Sequence, residues 1–124
     1  NPPFYSEHYK SENTQRNIAR FEDAMPFEHL IQSVSLLLSK TGMFSVIIPF
    51  KEEESFINLA SKANLFSNRI TRVKGNLSSE IKRSLIEFSF IETDVLINEL
   101  IIETQRHKCT QDYINLTKDF YLKM

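Results

Sequence analysis

The sequence predicts an α/β fold, a sheet with helices packed against it. A helical stretch, a short apolar strand and a second helix follow one another with short connections, which is the rhythm of an α/β sheet. Phe44-Ser-Val-Ile-Ile48 is a continuous apolar run with β-branched residues, the pattern of a central strand covered on both faces. Later in the chain Ile86, Phe88 and Phe90 alternate, which turns one face of another strand inward.

Tyr5 to Met25 is polar and lacks a clear period, so it reads as a mobile loop with a helical turn around Thr14 to Phe21. Pro26 to Lys40 is the clearest helix. Phe27, Leu30, Ile31, Val34, Leu37 and Leu38 share one face, Pro26 suits the first turn, and Gly42 is the expected terminator. Met43 to Phe50 is the first strand, ended by Pro49. Lys51 to Leu65 is a second helix, with Phe56, Ile57, Ala60 and Ala63 on its apolar face. Glu52, Glu53 and Glu54 crowd its start. Three adjacent carboxylates raise a metal site, but charge at a helix start explains them better. Arg69 to Lys74 is a shorter strand, Gly75 to Glu80 a turn, Ser84 to Ile91 a strand and Val95 to Ile102 an edge strand. Thr110 is the expected N-cap of a last helix, Gln111 to Leu122, with Tyr113, Leu116 and Phe120 inward.

Composition narrows the function. The net charge of −1 is a weak footprint for a nucleic-acid binder, which usually shows a basic face. One cysteine, Cys109, excludes an internal disulfide and any zinc site built on paired cysteines, and the His107/Cys109 pair has no counterpart, so no metal is expected. His29 reads as an exposed or capping-region residue. No run is long and apolar enough to span a bilayer, so a cytoplasmic location without membrane contact is the expectation. Only Gly42 and Gly75 occur where average usage gives about nine glycines, so no glycine-rich cofactor loop can be built from these residues.

Asn1-Pro2-Pro3-Phe4 carries the chemistry. An exocyclic amine on adenine is a poor nucleophile because its lone pair is delocalised into the ring. Two acceptors gripping its hydrogens draw the lone pair out of the ring plane. Asn1 offers a side-chain carbonyl and Pro2 a backbone carbonyl. The prolines stiffen the loop, and Phe4 offers a ring on which a base stacks. Such a site works by orientation and electrostatics and needs no strong general base. A Pro-Pro turn with a buried Phe is the plain alternative.

The tetrapeptide resembles motif IV of amino-methyltransferases that use S-adenosylmethionine. Arg16-Asn-Ile-Ala-Arg20 and the ending Tyr113-Ile-Asn-Leu-Thr-Lys-Asp-Phe-Tyr-Leu122 resemble segments of the bacterial tRNA1(Val) adenine-37 N6-methyltransferase family. That resemblance implies the C-terminal half of a class I Rossmann-like methyltransferase, a three-layer α/β/α sheet with a terminal antiparallel hairpin. Residues 1–25 would be motif IV and a substrate loop, and 26–124 the sheet and helices, supplying strands five, six and seven. It implies Asn1, Pro2, Pro3 and Phe4 as catalytic residues, tRNA as partner, and S-adenosylmethionine bound mainly by an upstream half, so the chain reads as a fragment. Arg16 and Arg20 would contact phosphate; otherwise they are surface residues or partners of Glu22 and Asp23. Lys74, Lys82 and Arg83 would contact the RNA backbone; otherwise they are a solvated loop rim. Two other readings remain. The same tetrapeptide serves enzymes that methylate release-factor glutamine or ribosomal-RNA guanine N2. A non-catalytic fragment would self-associate through the unpaired edge of its first strand.

Overall fold

The computed structural model of the protein describes residues 26–122. In chain order these form α1 (Phe27–Leu37), β1 (Phe44–Pro49), a 3-10 turn (Phe50–Glu52), α2 (Glu53–Lys62), β2 (Phe66–Asn76), β3 (Ile81–Ser89), β4 (Leu96–Gln105), β5 (Lys108–Cys109) and α3 (Gln111–Thr117). The five strands make one sheet in the order β1-β3-β2-β4-β5. β3 lies antiparallel between β1 and β2, β4 runs parallel to β2, and β5 folds back antiparallel on β4. This is the expected α/β sheet, with β2 and β3 as the antiparallel hairpin.

The core sits on one face of that sheet. Val46, Ile48, Ile70, Ile86 and Phe88 point to it from the strands, and Ile31, Phe56 and Ala60 close it from α1 and α2. Phe56 is its centre, fully buried, with ring centroids 5.0 Å from Phe27 and 5.6 Å from Phe88. Burying such a ring contributes about 1.5–3 kcal/mol. α3 lies over the opposite face, where Leu116 and Phe120 line a groove of about 730 Å³ with Ile47 and Leu85.

Several expectations change. β1 was expected to be covered on both faces, yet among the described residues it is an outer strand and buries alternate residues only. Val46 and Ile48 are in the core while Ile47 is 41% exposed. Gly42 does not terminate α1 with a left-handed residue. The helix ends when Leu38 turns extended (φ −71°, ψ 133°), and neither glycine has positive φ. A Cβ at Gly42 would stand 2.7 Å from Leu38 Cδ1 and 2.9 Å from Ser39 Oγ, so those side-chain ends would have to shift to admit one. Leu37, on the expected apolar face, is exposed at the helix's last position.

α2 begins two residues after its expected start, behind the 3-10 turn, and ends in a Schellman motif. Asn64 is left-handed (φ 60°), its N–H donates to Ser61 O, and Leu65 N donates to Ala60 O. The strands β2 and β4 run longer than expected, and the short β5 escaped the sequence reading. Thr110 does cap α3, its hydroxyl accepting from Tyr113 N and donating to Ile101 O. That helix stops at Thr117, so Phe120 lies beyond it and is exposed instead of facing inward.

Candidate functional site

In open α/β sheets, ligands bind outside the carboxyl ends of the strands. Here the carboxyl ends of β1, β2 and β4 lie at the same end of the sheet as the amino end of β3. The register shows this directly: Pro49 pairs with Arg83, Arg83 with Val73, and Val73 with Leu100. Lys74 pairs with Ile81 and Ile101 one step further out. The candidate RNA contacts Lys74 and Arg83 are therefore brought to one end of the sheet, at the expected ligand-facing edge. Lys74 Nζ lies 3.4 Å from Glu99 Oε1, whereas Arg83 is exposed and its Nη1 donates to Lys82 O at 3.2 Å. Asn1, Pro2, Pro3, Phe4, Arg16 and Arg20, together with the helical turn expected over Thr14 to Phe21, lie outside the described residues.

A buried polar cluster that the sequence reading passed over supports this edge. Glu53, at the start of α2, turns inward and is 8% exposed. Arg72 grips it with two hydrogen bonds, Nε to Oε1 at 3.2 Å and Nη2 to Oε2 at 3.0 Å. Ser84, fully buried in β3, donates to Oε1 at 3.0 Å. The Arg72 guanidinium also stacks over Phe50, 5.5 Å from the ring centre, where a cation is attracted to the ring face. The cluster ties the 3-10 turn and α2 to β2 and β3 immediately beneath the edge. Helix-start charge is thus only part of the account of these glutamates. The signal was present: Glu53 stands three and seven residues before Phe56 and Ala60, on their face of the helix, and Ser84 is in phase with Ile86 and Phe88.

Two turns project beyond the edge. The β2–β3 turn is locked by Asn76 and Ser78: Asn76 Oδ1 accepts from Ser78 N and Ser78 Oγ. The β4–β5 turn places Arg106 and His107 at its tip, with His107 left-handed (φ 65°). In the first turn of α3 the Tyr113 phenol is held above its ordinary pKa by its hydrogen bond to Tyr121 and by partial burial. Among the described residues no three His, Cys, Asp or Glu side chains converge on a metal position, and no helix is long and apolar enough to cross a membrane.

Curated relatives match this chain from end to end. A protein of Flavobacterium psychrophilum named tRNA1(Val) (adenine(37)-N6)-methyltransferase is 56% identical over 124 residues, all of this chain and 53% of the relative. Over its whole length the chain is a homologue of one half of these enzymes. Proteins of the same name from Bacteroides fragilis and Aliivibrio salmonicida are 40% and 33% identical, again over all of this chain and 52% and 53% of the relatives. The chain thus spans about half the length of the tRNA1(Val) methyltransferase relatives it matches. No protein-family profile matches it. A solved structure described as a predicted O-methyltransferase from Agrobacterium tumefaciens superposes on 74% of this chain and 45% of its own, with a TM-score of 0.60 at 19% identity. That likeness shows the fold alone: the chain has part of the class I methyltransferase fold.

The methyltransferase fold implies S-adenosylmethionine, and the described residues do not fit it by themselves. The two glycines stand at the α1–β1 connection and the end of β2, and neither forms a phosphate- or cofactor-cradling turn after a strand. At the carboxyl end of β1 the Phe50 ring lies under the Arg72 guanidinium, which is itself bound to Glu53.

Proposed function

We propose that this chain is the substrate-facing half of a tRNA adenine-N6 methyltransferase. The observation that carries the reading is the end-to-end similarity to curated tRNA1(Val) (adenine(37)-N6)-methyltransferases, supported by the class I methyltransferase sheet. In this reading Asn1 and the Pro2 carbonyl accept hydrogen bonds from the adenine amino group and turn its lone pair out of conjugation. Pro3 holds the loop rigid, and Phe4 supports the base by stacking. The target is an unpaired anticodon-loop base, which can be splayed into a pocket. S-adenosylmethionine supplies the methyl group and is held mainly by residues upstream of this chain. Arg16, Arg20, Lys74 and Arg83 meet the tRNA backbone in this account.

The tRNA substrate is favoured over release-factor glutamine or ribosomal-RNA guanine because the similarity runs through residues 16–20 and 113–122 as well as the tetrapeptide. The test is Asn1→Ala in a protein of the relatives' full length. Methylation of tRNA1(Val) is expected to be abolished with the far-ultraviolet spectrum and melting unchanged. Turnover near the parent level would remove Asn1 from its role. Side-by-side assays on tRNA, ribosomal RNA and release factor test the substrate.

A further inference from the structure

The two turns that project from the ligand-facing edge enclose a groove that no assigned role uses. It has a volume of about 660 Å³, with Asn76, Leu77 and Ser78 on one wall and Thr104, Gln105 and Arg106 on the other. Glu103 also lines it, in register with Asn76 across the parallel β2–β4 pair. The size is that of a small-ligand cleft. The lining has groups that suit a nucleotide: the Gln105 amide and the Glu103 carboxylate for a base edge, an exposed leucine beside a ring, and a guanidinium for phosphate, while Asn76 Oδ1 and the Ser78 and Thr104 hydroxyls are engaged within the turns. Leu77 is 74% exposed at the hairpin tip, which leaves its side chain open to contact a ring.

Charge points the same way. Lys82, Arg83, Arg106 and Lys108 flank the two turns, all exposed and without an ion-pair partner among the described residues. β3, β2 and β4 are neighbours, so Arg83 and Arg106 are about two strand spacings, roughly 10 Å, apart across the sheet, and Arg106 also stands up to roughly 20 Å further out along the strands than the Arg83–Val73–Leu100 row. A chain whose total charge is −1 thus carries four cations around these turns against the carboxylates of Glu80 and Glu103, a local excess of positive charge at the end where the substrate is expected. We propose that this groove binds an unpaired RNA nucleotide flanking the one to be methylated, with its phosphate on Arg106 and its base against Leu77. The inference rests on the RNA-methyltransferase reading and adds a second contact site to it.

The test uses the protein at its relatives' full length and an anticodon stem-loop RNA. Arg106→Ala is expected to weaken RNA binding roughly tenfold and to flatten the salt dependence of log K by about 0.7, the share of one phosphate contact on a single strand. KM for RNA should rise with kcat retained, and Lys62→Ala, at the opposite end of the sheet, should change neither. Photo-crosslinking with 4-thiouridine-substituted RNA should label peptides containing 76–78 or 103–106. If Arg106→Ala keeps the parent affinity and salt slope, or crosslinks fall only elsewhere, the groove is not an RNA site, although methylation by the parent protein would still stand. If the parent neither binds nor methylates RNA, the reading beneath is wrong and this site falls with it.

Discussion

Glu53 shows how one side chain ties the fold to the site. Its carboxylate is buried among three hydrogen bonds, two from Arg72 and one from Ser84. Removing one partner of such a pair leaves the other charge buried without compensation, which costs about 3–5 kcal/mol in a fully buried pair. Arg72 keeps a third of its side-chain surface in water, so the lower end applies. Arg72→Met is expected to destabilise the protein by about 2–3 kcal/mol, and Glu53→Gln by about 1–2 kcal/mol because the amide still bonds Ser84. Denaturant titration of the two variants and the double variant checks this. A coupling below roughly 0.5 kcal/mol would mean that the pair is not the source of the stability. Spacing to Phe56 and Ala60 puts Glu53 on the buried face, but only the packing of α2 against β2 and β3 supplies its partners, Arg72 and Ser84.

Elements begin and end where backbone chemistry allows, and α2 is the clearest case. Its Schellman ending requires a left-handed residue at position 64, and Asn64 supplies it at φ 60°. A residue with an unassisted Cβ pays about 1–2 kcal/mol there. Asn64→Ala is therefore expected to lower stability by about 1 kcal/mol and Asn64→Gly to leave it unchanged or raise it, as thermal melts would show. Equal melting of the two variants would indicate that the turn relaxes. Thr110 was legible as an N-cap because hydroxyl residues before a periodic stretch are a local signal. Asn64 and the end of α1 at Leu38 were not, since an Asn or Leu reads as helix until the next strand pulls the chain away. β5 is two residues long, too short for any period to reveal.

For the molecule as a whole, the described residues form the part of the sheet that carries the hairpin, and their carboxyl edge is held rigid from below. They lack a cofactor cradle. The 124-residue chain alone is accordingly expected to give no heat of S-adenosylmethionine binding by calorimetry, while a protein of the relatives' full length does. Micromolar or tighter binding to the 124 residues would place the cradle within this chain. Among the described residues β1 is an outer strand, and Ile47 and the half-buried Leu85 line the groove under α3. Both are natural contacts for further sheet and helix.

By itself the sequence determined the α/β class, the core residues Ile31, Phe56, Ile86 and Phe88, and the motif that points to amine methylation. These are local or periodic properties, written in residue spacing and in the chemistry of a tetrapeptide. Tertiary structure alone decided that β4 runs parallel beside β2, that Glu53 meets Arg72 and Ser84, and that Arg106 stands across a groove from Asn76. Each depends on which strands become neighbours. That choice is set by the burial of whole faces against one another, and no single stretch of sequence contains it.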